Sequence, residues 1–185
     1  MAFRIVAFSG SLSAPSKTRA LVDLALDKLT RRFDVIGASY DLADLQPSLG
    51  GAGRLEDLDP LPLGIVQSLV SADALILGAP VYKGSYPGLF KHLFDLIDPE
   101  ALRHKPVLLT ATGGGDRHAL VIEHQLRPLM GFFEAATLST GVYAGAGDFQ
   151  DGIPASPALL DRLDRAIDQF APFIPRENPA LSAAA

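Results

Sequence analysis

Ser9, Ser11, Ser13, Ser16 and Thr18 put five hydroxyls within ten residues, and Lys17 and Arg19 add two cations at the same spot. The chemistry such a cluster offers is anion binding. It follows the apolar run Phe3–Phe8, and the first acidic residue of the chain is Asp23. A helix N-terminus exposes unpaired backbone N–H groups and carries about +0.5 of an elementary charge, so it ordinarily recruits Asp or Glu. Two cations and no acid at that end are unfavourable unless a bound anion compensates them, and phosphate is the anion that suits such a turn. Taken singly, Ser16 is an N-cap and the other hydroxyls are loop solubility. Taken together, after a first strand, they read as a phosphate site. Neither Gly-x-Gly-x-x-Gly nor Gly-x-x-x-x-Gly-Lys-Ser/Thr runs across Gly10, so dinucleotide and nucleoside triphosphate sites of those types lose ground.

Two further segments carry candidate ligand-binding residues. Ala79–Gly88 supplies Pro80, Val81, Tyr82 and Lys83, a proline-stiffened wall with an aromatic, although Tyr82 taken alone reads first as packing at a strand end. Ala111–Arg117 supplies Thr112, Gly113, Gly114, Gly115 and Asp116. Three successive glycines exceed what a strand-to-helix turn requires, which favours close backbone approach to a flat ligand. Asp116 reads first as the N-cap of a helix beginning near Arg117 and stands at the edge of the same set.

The elements that must position these segments follow from periodicity. Apolar runs at Phe3–Phe8, Asp34–Tyr40, Ala74–Ala79, Val107–Thr112 and Thr137–Val142 are short and continuous, as strands buried on both faces are. Helical patterns fall at Lys17–Arg31, Leu63–Ser71, Pro87–Ile97, Arg117–Phe133 and Ala158–Phe173, with Pro87 at a helix N1 position and Pro157 opening the last helix. This alternation predicts an α/β, three-layer, doubly wound fold with five parallel strands in one domain over 1–174, followed by a mobile tail over 175–185. Asp44–Pro62 is expected to be a long surface connection. In such a sheet ligands bind outside the carboxyl ends of the strands, where the three segments converge, and a phosphate turn, an aromatic wall and a glycine turn together are the plan of a mononucleotide flavin pocket.

Composition narrows the class. The formal net charge of −5 argues against broad nucleic-acid or anionic-membrane binding. Without Cys there is no disulfide, thiolate metal site or catalytic thiol, and a reducing cytoplasm is the expected location. No signal peptide or membrane-spanning run is read, no His/Asp/Glu spacing suggests a metal site, and no Ser-His-acid set suggests hydrolysis. His92, His104 and His118 read as solvated surface residues.

His124 is different. Pro128 interrupts a strongly apolar helical pattern, and a proline offers no N–H to the carbonyl of residue i−4, which is His124. A kink or π-type bulge is expected there, and the apolar residues around the helix circumference predict contact with another subunit. The alternative is an ordinary kink with a surface His.

Gly10-Ser-Leu-Ser-Ala-Pro-Ser-Lys-Thr-Arg-Ala-Leu21, Ala79-Pro-Val-Tyr-Lys-Gly-Ser-Tyr-Pro-Gly-Leu-Phe-Lys91 and Thr110-Ala-Thr-Gly-Gly-Gly115 together resemble the flavodoxin-like NAD(P)H-dependent FMN reductases, especially those of alkanesulfonate and methanesulfonate monooxygenase systems. The resemblance implies the strand order 2-1-3-4-5, FMN with NADH or NADPH as cofactors, hydride transfer by ring alignment with no catalytic acid or base, and delivery of reduced FMN to a partner oxygenase. It also implies a homo-oligomer, dimer or tetramer, with a π-helical insertion at the tetramer interface; His124 matches the methanesulfonate type. Ser13 stands where many relatives have Arg, which shifts the expected phosphate contacts to Lys17 and Arg19. A quinone, azo-dye or metal reductase and a flavodoxin-like electron carrier are the competing readings; a receiver-type signalling domain is disfavoured because Phe8-Ser9-Gly10 lacks the clustered acids it needs.

Overall fold

The structure, a computed structural model, describes residues 2–175, so the expected tail lies, beyond Pro175, outside the described residues. Strands β1 (Phe3–Ser9), β2 (Val35–Asp41), β3 (Ala74–Pro80) and β4 (Pro106–Thr112) pair in parallel in the order β2-β1-β3-β4. Helix α1 (Lys17–Arg32) links β1 to β2, α3 (Pro60–Ser71) precedes β3, α4 (Gly88–Asp95) follows it, and α6 (Pro157–Asp168) closes the described chain. Val6 and Phe8 of β1 enter one core with residues of α3 and α4, whereas Ile5 and Ala7 enter the other with residues of α1 and α6. Both faces are covered over β1, β3 and β4, which is why those strands read as unbroken apolar runs, whereas the edge strand β2 has no buried residue and exposes Ile36, correcting the expectation of burial on both its faces.

The fifth sheet position differs from the single strand expected over Thr137–Val142. Two short segments, β5 (Ala136–Thr137) and β6 (Val142–Ala144), both lie parallel to β4, against its first and last residues respectively. Side chains serve the backbone between them. Arg127 Nη1 donates to the Leu138 carbonyl at 3.0 Å and to Thr137 Oγ1 at 2.8 Å, Arg162 Nε donates to the Gly141 carbonyl at 2.7 Å, and Gln169 Oε1 accepts from the Thr140 N–H at 3.1 Å. A Cβ on Gly141 would lie 2.6 Å from Ile122 Cγ2, so the strand yields where the neighbouring helical segment presses on it.

That helical segment is also broken, into a 3₁₀ turn at Asp116–His118, a π-turn at Ile122–Leu126 and helix α5 (Arg127–Phe132). Three further expectations are corrected. Asp44–Pro62 is not simply a surface connection: it holds the short helix α2 (Ser48–Gly51) and buries Leu45, Leu49, Ala52 and Leu58. Pro87 is the N-cap of α4 rather than its first residue. His92 is half-buried on α4, and its Nε2 is shut off from solvent without a hydrogen-bond partner among the described residues.

At the edge of the sheet where the strands begin, Lys105 reaches the C-terminus of α3, donating to the Val70 carbonyl at 2.7 Å and to the Ala72 carbonyl. Burial pushes its pKa below the ordinary lysine value. A cation over unpaired terminal carbonyls combines a charge-assisted hydrogen bond with the helix dipole. Lys105→Met is expected to cost about 1–2 kcal/mol, read as a lower urea midpoint at unchanged slope; an unchanged midpoint would show that solvent serves those carbonyls equally well.

Candidate functional site

The ends of β1, β3 and β4 meet at one edge because the strands are parallel and in register, Ser9 beside Gly78 and Pro80 beside Thr112. The first turn leaves β1 through Gly10, whose N–H donates to the Gly78 carbonyl at 2.6 Å. A Cβ on Gly10 would lie 2.5 Å from Cδ2 of the buried Phe90, so the turn needs glycine to pass over that ring. Ser11 is buried, and its Oγ accepts from the Ser13 N–H at 3.1 Å; Ser13 itself is exposed. Ser16 is half-buried and caps α1, its Oγ accepting from the Arg19 N–H at 3.1 Å. The Lys17 and Thr18 N–H groups that follow lie in the first helical turn, where no intrahelical acceptor exists.

Three hydroxyls lie beneath this turn. Thr18 Oγ1 and Thr112 Oγ1 are 2.7 Å apart and buried, tying the start of α1 to the end of β4. Ser9 is fully buried at the end of β1, and its Oγ has no hydrogen-bond partner among the described residues. A buried hydroxyl without a partner is costly, which is accounted for when a ligand supplies the acceptor.

The cations divide. Lys17 is exposed, with Nζ 5.2 Å from the centre of the Phe149 ring. Arg19 is held elsewhere: its Nε donates to Asp23 at 2.9 Å, its Nη1 to Asp41 at 3.0 Å and its Nη2 to the Ser39 carbonyl at 3.2 Å, with Asp44 at 3.8 Å. Burial works to lower the Arg19 pKa, but the Asp23 and Asp41 carboxylates outweigh it and hold it above its ordinary value. The Arg19 guanidinium, from which a phosphate contact is expected, is thus engaged by carboxylates and a carbonyl in this structure. Asp41 and Asp44 close this cage only because β2 lies beside β1, a proximity no spacing in the chain announces.

The second loop follows β3. Pro80 is buried, and the Val81 N–H donates to the Thr112 carbonyl at 2.8 Å. Tyr82 and Ser85 exchange backbone hydrogen bonds of 2.8 and 3.2 Å around Lys83 (φ 52°) and Gly84 (φ 91°), the positive φ pair of a type I′ turn. The turn presents Tyr82 half-exposed at 50%.

The third loop is held by a residue the sequence reading missed. Tyr143 of β6 donates its hydroxyl to the Gly115 carbonyl at 2.7 Å, and a Cβ on Gly113 would lie 2.3 Å from that oxygen. Burial, with the Asp116 and Asp148 carboxylates adding to it, raises the Tyr143 pKa and keeps the donor protonated. No signal pointed to Tyr143, because the strand carrying it was expected to end at Val142. Gly114 and Gly115 face open space, with nothing within 4 Å of a Cβ on either. Asp116 is exposed in the first position of the 3₁₀ turn, with Gly115 as the cap, so its reading as an N-cap is corrected.

His124 is exposed and central in the π-turn. The Arg127 N–H donates to the Ile122 carbonyl, five residues back, and Pro128 has no N–H to offer His124. Glu123 binds Arg127 at 2.6 and 2.9 Å across the turn, and that hydrogen bonding holds its carboxyl below the usual range. Beside the π-turn, a cavity of about 510 Å³ is lined in part by Tyr86, Phe94, His124, Gln125, Leu129 and Phe132. Among the described residues no group of His, Asp or Glu could hold a metal ion, and no helix is long and apolar enough to cross a membrane.

Strand order β2-β1-β3-β4-β5 with helices on both sides defines a flavodoxin-like fold. Residues 3–150 match the NADPH-dependent FMN reductase family, and the chain belongs to it. It is 46% identical over 170 residues to the NADH-dependent FMN reductase SfnF of Pseudomonas fluorescens (92% of this chain, 91% of that one), and 43% identical over 171 residues to an NADPH-type FMN reductase of Pseudomonas aeruginosa (92% of each). The apo crystal structure of the NADH:FMN oxidoreductase EmoB superposes with a TM-score of 0.80 at 30% identity, covering 96% of this chain and 93% of that one. The residues present fit FMN: the partnerless Ser9 hydroxyl and the first-turn N–H groups suit a phosphate, and the open space over Gly114 and Gly115 suits a flat ring.

Gly113→Ala is expected to cost about 1–3 kcal/mol by forcing the Tyr143 hydroxyl aside. In a Tyr143→Phe background the same change is expected to cost less, because the nearest remaining ring atom is 3.3 Å away. Thermal unfolding of the four proteins measures this; equal costs in both backgrounds would remove Tyr143 as the reason for the glycine.

Proposed function

We infer that this chain reduces FMN with NADH or NADPH and releases reduced FMN to a separate flavin-dependent monooxygenase of the sulfonate-processing kind, within a reducing cytoplasm. The observation that carries the site assignment is the buried, partnerless Ser9 hydroxyl beneath a hydroxyl-rich, acid-free helix start. Bound FMN supplies the two-electron acceptor for the hydride of the nicotinamide. What the chain does is bind and orient. Ser9, Ser11, Ser13, Ser16 and Thr18, with the first N–H groups of α1, surround the phosphate, and Lys17 is the cation free to approach it. Pro80, Val81, Tyr82 and Lys83 wall one side of the ring, and Thr112 with the Gly113–Gly115 turn and Asp116 the other, leaving a face for the nicotinamide. Hydride transfer between stacked rings needs alignment and exclusion of water rather than a side-chain acid or base, so no general base is assigned.

The relatives named for NADH and for NADPH match this chain almost equally, so both coenzymes are retained. Turnover of NAD(P)H with free FMN separates a reductase from an electron carrier, and a quinone reduced faster than FMN would favour the quinone-reductase reading.

The second element of the proposal is assembly. The groove beside the π-turn is apolar and Phe132, at its rim, is 68% exposed, a surface suited to a second copy of this chain. His124 then sits at the interface between subunits, near the ring site.

Two results are expected. Lys17→Glu should weaken FMN at least about tenfold, or 1.4 kcal/mol, while changing riboflavin affinity less than twofold, because only FMN carries the phosphate; equal losses by titration calorimetry would displace the phosphate from this turn. Phe132→Glu should lower the mass seen by light scattering without lowering the unfolding temperature by more than a few degrees, since the ring is exposed; native mass would exclude this groove as the subunit contact.

A further inference from the structure

We propose that Gln125 is a positioning residue that sets the wall of the flavin-ring site from the π-turn. Ser85 Oγ donates to Gln125 Oε1 at 3.0 Å in a partly buried contact. Ser85 is the closing residue of the type I′ turn whose other end is Tyr82, so a displacement of Ser85 is a displacement of Tyr82. Among the described residues the hydrogen bonds that tie the loop to other elements are the Val81 N–H on the Thr112 carbonyl at its start and the side-chain bond from Ser85 to Gln125 at its end, while Val81 and Tyr86 also pack against the core.

Gln125 is itself held. It lies in the π-turn, which winds through fewer degrees per residue than an α-helix and so turns the side chains after Ile122 away from their α-helical directions. The turn is fastened to the sheet by Arg127, which binds Glu123, Thr137 Oγ1 and the Leu138 carbonyl together. A continuous path of hydrogen bonds therefore runs from the broken edge of the sheet through Arg127, the π-turn, Gln125 and Ser85 to the Tyr82 turn. The extra residue per turn gives Gln125 its reach to Ser85, and the bond needs only an acceptor on Gln125.

This inference rests on the placement of the ring beside Tyr82. Gln125→Met keeps length and loses the acceptor; Gln125→Glu keeps an acceptor for the Ser85 hydroxyl. Gln125→Met and Ser85→Ala are each expected to raise KM for FMN and the dissociation constant for riboflavin about three- to tenfold, with a smaller effect on kcat. The double variant should lose no more than either single one, and Gln125→Glu should restore affinity to within about twofold of wild type. Circular dichroism melting and light scattering accompany each variant. Additive losses, failure of Gln125→Glu to rescue, or a loss of mass in parallel with affinity would overturn the proposal, the last by assigning the effect to assembly. Tyr82→Ala is the control for the underlying reading: if it changes flavin affinity while the Gln125 and Ser85 variants do not, the linkage alone fails; if it changes nothing, the ring placement fails and the linkage with it.

Discussion

Ser9, Pro80 and Thr112 end three neighbouring strands that run the same way, and the rest of the site depends on that parallel pairing. Parallel strands cannot return by a hairpin, so each leaves the sheet at the same edge and crosses a face in a helix before re-entering. The edge that collects the exits collects three backbone turns with unpaired groups. The protein closes part of that edge internally: Gly10 bonds to Gly78, Val81 to Thr112, Gly113 to Ala144, and Thr18 meets Thr112. What remains open is a turn of hydroxyls and a glycine corner, which suit an anion and a flat ring.

Close approach sets the glycines differently from backbone strain. Gly10 passes over Phe90 and Gly113 over Tyr143, and in both cases a methyl group would overlap a ring or its hydroxyl. Gly114 has neither a positive φ nor a neighbour to avoid, so its small size matters only to what lies outside the chain. Phe90 in turn packs with Phe8, Tyr86 and Phe94, with its ring centre 4.9 Å from that of Phe94, so the floor of the turn after β1 belongs to the aromatic core.

Electrostatics at the helix start is a matter of which cation is free. Both Lys17 and Arg19 sit where the dipole disfavours them. Arg19 is offset by a cage of carboxylates from α1 and the end of β2, so its charge is satisfied without a ligand. Lys17 rests on the Phe149 ring and forms no ion pair among the described residues. The turn therefore offers neutral donors and one cation that no carboxylate holds among the described residues.

The sequence alone determined what is local or periodic. The buried strand runs, the acid-free turn, the glycine corner and the consequence of Pro128 for His124 are all readable because each follows from neighbours within about one helical turn or from a two-faced burial pattern. Motif order carried the family resemblance. Only the tertiary structure decided where side chains distant in the chain meet. The carboxylates that hold Arg19 are not visible from its own segment, since Asp41 and Asp44 lie 22 and 25 residues on and meet it only through the β1–β2 pairing. Tyr143 and Gln125 gained their roles from contacts with Gly115 and Ser85, 28 and 40 residues off. The split of the fifth strand falls at Leu138-Ser-Thr-Gly141, where the apolar run is itself interrupted, and side chains from other elements, Arg127 and Arg162, bond to the carbonyls of Leu138 and Gly141 there. Side-chain partners across a fold have no period, and that is the physical limit on reading them from the chain.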